Sequence, residues 1–350
     1  MSDDVWSARD TTPDQIADAL RQLLRERHAA NQSLAPARVL NLVVVVDKDW
    51  KGEVANRLER VGRYHASRTV LCAVEDARQT LDAQAVMAYE EPSDGLGVIR
   101  ERVQIDIGPG HLEHLETIID PVVVSELPTV LWCPHGHEQA IDELLEMIDV
   151  VLLDSDQKTQ AQPALARAQE LLQSVYVVDL AWLRTTPWRE RLAASFDPAE
   201  RREALHRICS IAVRHRPGST ASALLLAGWL TAQLDWQPAA LEAQNGAGLR
   251  GAARRGEREI AIELAAVDQE APGLAGVTVE CPSGFVLSLD RAPGGLQAKT
   301  HQSDGSETSW QVLGASRGEG GILGEGVRQA LLRDPTYGLA LTAARGYCLR

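Results

Sequence analysis

The sequence predicts an α/β N-terminal domain, built on a mixed and mostly parallel sheet with flanking helices, and an α+β C-terminal domain with an antiparallel sheet. Up to residue 153, apolar strand-like runs alternate with helical patterns, which is typical of a sheet covered on both faces. From residue 236, short alternating segments are separated by glycines, which is typical of antiparallel strands. The 350 residues also exceed the size at which a single core usually stops growing.

We therefore expect two domains, 1–157 and 158–350, with the boundary in the polar stretch that begins at Ser155. The second domain is expected to be helical over 158–235 and mainly antiparallel β over 236–350.

The first domain is expected to begin with a helix, because Thr12 is a good helix cap and Pro13 suits the first helical position. The elements that should follow are a strand over 39–46, a helix over 54–61, a strand over 69–74, a hairpin of 86–89 and 98–107 around the turn 91–95, a helix over 111–124, a strand over 129–132, a helix over 138–147 and a strand over 150–153. No glycine-rich turn follows the strand 39–46. The phosphate cradle of dinucleotide-binding domains is therefore not expected there.

The second domain is expected to contain long helices followed by short strands. Pro187 should start a helix, because proline suits the first helical turn. The other expected elements are a helix over 165–172, a strand over 175–178, helices over 197–214 and 219–234, strands over 258–264, 277–280 and 285–289, and a helix near 326–333.

Composition excludes several function classes. A formal net charge of −14 argues against a nucleic-acid or anionic-membrane partner, since either would require a basic face. The most apolar run is too short to cross a membrane, and the first residues lack the features of a signal peptide. Five widely spaced cysteines show neither a CxxC pair nor an even count, so a disulfide framework is not expected. We expect a soluble cytoplasmic protein.

Two glycine motifs resemble catalytic or cofactor signatures. Gly246-Ala-Gly-Leu-Arg-Gly251 fits GxGxxG, but an alternating strand follows it where a dinucleotide site needs a helix N-terminus. Gly314-Ala-Ser-Arg-Gly318 fits the GxSxG elbow, but hydrolase order places the histidine after the serine and none follows His301. We interpret the first motif as a flexible turn. For the second, the surroundings lack an oxyanion loop, and a triad that borrows an earlier histidine stays open.

The central block is rich in potential ligands, with His111, His114, His135 and His137 close to Cys133. His111 and His114 would share a face of a helix, and His135 and His137 lie in a turn. The helical pair lacks the HExxH pattern. Helix-surface or capping roles are favoured, and a metal or small-molecule site is the alternative.

An interaction signal comes from Trp182, Arg184, Trp188 and Arg189. Tryptophan and arginine are enriched at interface hot spots, because they combine a large contact area with directional hydrogen-bond donors. The opposing interpretation is that both tryptophans pack inside the protein.

Two segments carry a resemblance to a known family. The stretch 120–134, which contains Ser125-Glu-Leu-Pro-Thr-Val-Leu-Trp132, resembles the central block of the OpcA family, the glucose-6-phosphate dehydrogenase assembly proteins. Asp179-Leu-Ala-Trp-Leu-Arg-Thr-Thr-Pro-Trp-Arg189 resembles the most recognisable segment of that family. The two segments occur in the family's order.

The resemblance implies a non-catalytic accessory protein that binds glucose-6-phosphate dehydrogenase and promotes its assembly and activation in the oxidative pentose phosphate pathway. It implies no cofactor and no catalytic residue. The partner-binding candidates are then Trp182, Arg184, Trp188, Arg189 and Trp132. The alternative is a sugar-phosphate-binding protein or enzyme that uses the four central histidines.

Overall fold

The computed structural model describes residues 4–30, 38–62, 66–90, 98–244, 248–313 and 318–348. The chain forms two compact units. Unit 1 comprises Met1–Leu153, Ser174–Val178 and Leu323–Leu332, and unit 2 comprises Asp154–Gln173, Asp179–Ile322 and Arg333–Arg350. The domain division 1–157 and 158–350 stays a prediction, because a compact unit need not be an independently folding domain.

Unit 1 is built on a mixed, mostly parallel sheet, here called sheet A. Within the described residues its strands are β1 (Asp4–Ala8), β2 (Leu40–Asp47), β3 (Ser67–Val74), β4 (Asp82–Glu90), β5 (Val98–Ile107), β6 (Thr129–Trp132), β7 (Val150–Leu153) and β8 (Tyr176–Asp179), in the spatial order β1-β4-β5-β3-β2-β6-β7-β8. Strand β2 pairs in parallel with β3 and β6, and β3 and β6 pair in parallel with β5 and β7. Strand β4 is antiparallel to β5 and β1.

The apolar run of β2, which only Asn41 interrupts, explains its central position. Residues 40–46 are all buried, as expected for a parallel strand covered on both faces. The helices of this half are α1 (Pro13–Ala30), α2 (Lys51–Gly62), α3 (Leu115–Ile119) and α4 (Glu138–Glu143). Among the described residues, none of the helices is both long and apolar enough to span a membrane.

The long helix expected over 111–124 is wrong. A 3₁₀ turn (Pro109–His114) precedes the short helix α3, so the apolar residues that suggested one helix belong to two pieces of different pitch. The turn expected at 91–95 lies outside the described residues. The edge strand β1 was not anticipated, because it is short and its outward side chains are polar or exposed.

Unit 2 is built on a mostly antiparallel sheet, here called sheet B. Within the described residues its strands are β9 (Ser210–His215), β10 (Gln237–Pro238), β11 (Glu242–Gln244), β12 (Gly248–Arg255), β13 (Arg258–Ala266), β14 (Leu274–Glu280), β15 (Val286–Ala292), β16 (Gly295–His301) and β17 (Glu307–Leu313). The order is β10-β12-β13-β9-β14-β15-β16-β17, with β11 beside β12. Strands β9 and β13 form a parallel pair, and the other pairs are antiparallel. The two sheets together confirm the predicted fold class.

The helices of the C-terminal half are α5 (Ala161–Leu171), α6 (Leu180–Ser195), α7 (Ala199–Leu205), α8 (Thr220–Gln233), α9 (Gly318–Leu332) and α10 (Thr336–Gly346). The apolar helix α8 packs on β9 and β13, and α6 contacts β14. One face of sheet B is therefore covered. Its buried side chains include Ile211, Val213, Ile262, Val277 and Leu289.

Two expected helices are wrong. The helix expected over 197–214 ends at Leu205, and 210–215 forms the central strand β9, because Ser210-Ile-Ala-Val-Arg-His215 alternates between the two faces of the sheet. Pro187 does not start a helix but lies inside α6, which begins at Leu180 because the Asp179 carboxylate accepts a hydrogen bond from the N–H of Ala181.

Candidate functional site

The family-like segment 179–189 forms most of helix α6 and lies inside unit 2. Trp182 is 2% exposed and Trp188 is 1% exposed, and Arg184 is also buried. Trp188 therefore lies buried in the middle of α6, and not in the first turn of a helix that starts at Pro187. In this structure a partner could reach either tryptophan only after the helix had moved.

Arg184 is the centre of a buried ionic cluster in unit 2. Its guanidinium donates two hydrogen bonds of 2.7 Å to Asp154 and two bonds, of 3.1 and 2.7 Å, to Glu319. A carboxylate oxygen of Asp156 lies 3.8 Å away. The planar guanidinium thus binds one carboxylate through two hydrogen bonds on each of two edges. Such paired bonds between charged groups are stronger than hydrogen bonds between neutral groups.

Two carboxyl groups, Asp156 of the cluster and Asp179, which bonds to the adjacent Ser155, have raised pKa values. Burial, followed by the nearby charge of Asp154, raises the pKa of Asp156 to about 7, although Ser222 donates to it through its backbone N–H and its hydroxyl. Burial also raises the pKa of Asp179 to about 6, against the hydrogen bond from Ser155. Burial therefore keeps the protonated form of these two carboxyl groups to a higher pH than is usual for an aspartate.

Trp182 and Arg189 form a second contact group. The Trp182 indole donates a 2.9 Å hydrogen bond to Asp334, and the Arg189 guanidinium carbon lies 3.5 Å from the ring centroid. Arg189 is half-buried, and burial lowers its pKa to about 10, so it stays charged at neutral pH. This is a cation–π contact in which both groups keep polar partners, since Arg189 also donates to the Thr185 hydroxyl.

The fifth partner-binding candidate, Trp132, ends strand β6 in unit 1 and is 1% exposed. Arg57 lies over its ring at 5.5 Å. Contact of these five side chains with a partner stays a prediction, and four of them are buried in the chain itself.

Strands β2 and β6 are neighbours in sheet A, but the chain leaves β2 toward β3 and leaves β6 toward β7, in opposite directions. Open α/β sheets usually bind ligands at the carboxyl ends of two such strands. Here side chains bridge the two ends. His137 Nε2 lies 2.7 Å from Asp47 Oδ1, and the Trp50 ring stacks on His135 at 4.1 Å. Both histidines have left-handed backbone, with φ of 58° for His137 and 62° for His135.

The four predicted histidines have different local contacts, and their role as a small-molecule site stays a prediction. His111 Nδ1 lies 3.2 Å from the backbone nitrogen of Gly108, which is a local turn contact, and His114 is exposed. In the part of the chain that the structure describes, no three histidine, cysteine or carboxylate side chains are grouped closely enough to hold a metal ion. Ser316 of the GxSxG motif lies outside that part, and 248–251 of the GxGxxG motif belong to strand β12.

The face of sheet B opposite the helices is named here the open face. It carries Ser210, Ala212, Arg214, Ala252, Ala261, Glu263, Thr278, Ser288, Asp290, Gln297 and Lys299, all exposed or half-exposed. Cross-strand register places Ala252 opposite Ala261, and Ala261 beside Ser210. The middle of this face therefore consists of small side chains.

Sequence reasoning missed the open face and the acidic partners of Arg184. The strict alternation in β9 and β13 could have revealed the face, had β9 not been interpreted as a helix. Asp154 follows the apolar strand β7 directly, which is a common place for functional carboxylates, whereas nothing local indicates its pairing with Arg184, 30 residues later.

Comparison with known proteins places both halves of the chain in one family. Residues 58–170 match the family model described as glucose-6-phosphate dehydrogenase subunit N-terminal domain, and residues 175–341 match the corresponding C-terminal domain. A protein of Synechococcus elongatus named as an OxPP cycle protein, OpcA, is 29% identical over 181 residues, which are 50% of this chain and 41% of that protein. A protein of the same name from Synechocystis sp. is 32% identical over 139 residues, 39% of this chain and 29% of that protein.

The alignments thus span less than half the length of these relatives. Solved structures with a similar outline include a dehydrogenase from Chromobacterium violaceum (TM-score 0.47, 10% identity, 88% of this chain and 93% of that one) and an oxidoreductase from Sinorhizobium meliloti (TM-score 0.49, 11% identity, 88% and 94%). Since the two family domains match in order and together cover about four fifths of the chain, the protein belongs to the OpcA family of glucose-6-phosphate dehydrogenase assembly proteins.

Proposed function

We propose that this chain is a non-catalytic partner of glucose-6-phosphate dehydrogenase that promotes the assembly of its active form in the oxidative pentose phosphate pathway. The observation that carries the proposal is the match of 58–170 and 175–341 to the two domains of a glucose-6-phosphate dehydrogenase subunit. A cytoplasmic location stays a prediction.

Thermodynamic linkage explains how a partner without catalytic residues can raise activity. A protein that binds the active oligomer more tightly than the inactive form shifts the population by the difference of the two affinities. A tenfold gain in apparent substrate affinity needs only about 1.4 kcal/mol of such coupling.

Within this function, the segment 179–189 would act mainly by shaping unit 2. Arg184 and Trp182 connect helix α6 to the segments that carry Asp154, Glu319 and Asp334, so their loss would disturb the unit as a whole. Arg189, which is half-buried, is the partner-binding candidate of this segment that could also touch a partner without a rearrangement.

The test measures NADPH formation by the dehydrogenase of the same organism at low glucose 6-phosphate, with and without this chain. We expect a lower apparent substrate constant and co-elution of the two proteins. The chain alone should form no NADPH. An unchanged rate together with separate elution would refute the proposal.

A further inference from the structure

We propose that Arg255 and Arg258, at the end of the hairpin formed by β12 and β13 in unit 2, bind the phosphate group of a small metabolite. The site is independent of the proposed function, and the chain alone suffices to test it. Gly256 and Glu257 form the turn of the hairpin, which places the two arginines directly opposite each other. A φ of 60° at Gly256 suits the first central position of a two-residue turn.

The first support is that this pair breaks the charge pattern of its own hairpin. The other arginines of β12 have a glutamate opposite them on β13. Arg250 lies 2.6 Å from Glu263. Arg254 lies 4.0 Å from Glu259. Such pairs are expected on a solvated sheet, because opposite charges on neighbouring strands attract each other and like charges repel. At the end of the hairpin, arginine instead faces arginine.

The second support is that both guanidinium groups reach the same residue. His206 is the C-cap residue of helix α7, and Arg258 donates a 2.9 Å hydrogen bond to its carbonyl oxygen. Arg255 Nη1 lies 3.2 Å from its imidazole Nδ1. Capping of α7 accounts for Arg258, but it does not require a second arginine opposite. Since a guanidinium carries five N–H donors, most donors of the pair stay available to a ligand.

The third support is that these cations lack a neutralising carboxylate. Over the residues that the structure describes, no carboxylate forms an ion pair with Arg255, Arg258 or Arg207, the exposed residue that follows His206. The chain has 49 acidic and only 35 basic side chains, so carboxylates are the commoner charge. The positive charges at this end of the sheet repel each other until an anion neutralises them.

The number and shape of the donors favour a phosphate group. A phosphate monoester carries a charge of about −1.5 to −2 at pH 7, so it can neutralise both arginines, whereas a carboxylate neutralises only one. Guanidinium groups bind phosphate oxygens through paired N–H donors. Arg258 is exposed and Arg255 is half-exposed, so the rest of the ligand can stay in solvent. The site would therefore recognise the phosphate more than the molecule that carries it.

The test titrates the chain with inorganic phosphate at constant ionic strength and follows the amide signals by NMR. We expect the signals of 206–207 and 255–258 to move with a single dissociation constant. Arg255→Ala and Arg258→Ala should each weaken binding at least tenfold, because each removes one guanidinium from the phosphate. Arg250→Ala, on the same hairpin, is the matched control and should change binding less than twofold, since Arg250 already has Glu263.

Arg255→Glu distinguishes a ligand site from a purely structural pair. It places a glutamate opposite Arg258 and so extends the charge pattern of the hairpin to its end. Without phosphate, this variant should melt at a higher temperature than the unmodified chain, because a repulsive pair becomes an attractive one. It should also lose phosphate binding. A lower melting temperature would mean that Arg255 only holds the hairpin to α7, and would overturn the site.

Circular dichroism shows whether each variant folds. Should Arg258→Ala unfold because α7 loses its cap, Arg258→Lys keeps the charge but removes the planar pair of donors, and should still weaken binding. Glucose 6-phosphate, titrated in the same way, identifies the source of the phosphate: tighter binding than that of inorganic phosphate indicates an ester, and equal binding indicates the free ion. The site is overturned if phosphate moves none of these signals, or if Arg250→Ala weakens binding as much as Arg255→Ala.

Discussion

Arg184 donates two parallel hydrogen bonds of 2.7 Å to the two carboxylate oxygens of Asp154, and both side chains are less than a tenth exposed. This pair connects helix α6 to the chain segment that follows β7. Glu319 occupies the other edge of the same guanidinium. The segment that resembles the family most clearly is therefore part of the buried framework of unit 2.

Replacing Arg184 by Ala should strongly destabilise the protein. The change leaves Asp154 buried without its cation, and breaking a buried ion pair costs about 3–5 kcal/mol. The free energy of unfolding from urea denaturation, followed by circular dichroism, measures the effect. Arg250→Ala is the matched control, because its pair with Glu263 is exposed and should contribute nothing measurable. Equal losses for the two variants would contradict the importance of the buried pair.

Stability should fall as pH rises, because of Asp156. Its pKa is about 7 in the folded chain and near the ordinary value of 3.8 in the unfolded chain, so the folded state binds the proton more tightly. The stabilisation that protonation gives is complete below pH 3.8 and is lost as pH rises to about 7. The free energy of unfolding measured between pH 5 and 8 should therefore decrease with pH.

In Asp156→Asn that decrease should be smaller. The slope that remains below about pH 6 should come from Asp179, whose pKa burial raises to about 6. Asp304→Asn, at a fully exposed site, is the control and should follow the unmodified chain. A decrease of the same size in Asp156→Asn would show that another group causes it.

The sequence predicted the elements whose burial pattern is local and simple. Residues 40–46 of strand β2 are buried on both faces and are apolar except for Asn41, and the expected helix 219–234 agrees with α8 to within one residue at each end. The sequence wrongly predicts helix at strand β9, because Asp197 and Pro198 favour a helix start and six residues of alternation are a weak signal against it. Its place beside β13 and β14 comes from distant segments, which sequence patterns do not display.

The sequence predicted only part of the candidate site, because the contacts that bury it also come from distant segments. The segment 179–189 was identified, but its burial depends on Asp154, Glu319 and Asp334, which come from other parts of the chain. The four histidines are close in sequence, yet local backbone geometry gives each a different environment. The left-handed turn at His135 and His137, for example, directs them to Trp50 and Asp47.

Gly228 should not tolerate a methyl group. A Cβ at this position in α8 would come within 2.3 Å of the Ala340 carbonyl oxygen and 2.7 Å of the Ala344 nitrogen in α10. Gly228→Ala would force the two helices apart, and overpacking of this kind costs about 1–3 kcal/mol. In the helix α9, Gly324 has open space at the same position.

Gly324→Ala should therefore stabilise the protein by roughly 0.5–1 kcal/mol, since alanine loses less backbone entropy than glycine on forming a helix. Thermal melting of the two variants measures the predicted loss of stability in Gly228→Ala and the predicted gain in Gly324→Ala. A stabilising Gly228→Ala would show that α8 and α10 are less closely packed than the structure has them.

Thiol reactivity should follow burial. Cys72 is fully buried in β3, and burial raises the pKa of its thiol to about 12, so almost no thiolate exists at pH 8. Burial likewise raises the pKa of Cys281 to about 11. Because the thiolate is the reactive form, both should resist a maleimide reagent in the folded protein and react in urea. Cys209 is half-exposed and should react before either of them.

Mass spectrometry of tryptic peptides after timed labelling measures the three rates. Rapid native labelling of Cys72 would mean that the centre of sheet A opens far more often than its packing implies, because the reagent can reach that thiol only when β3 separates from its neighbours.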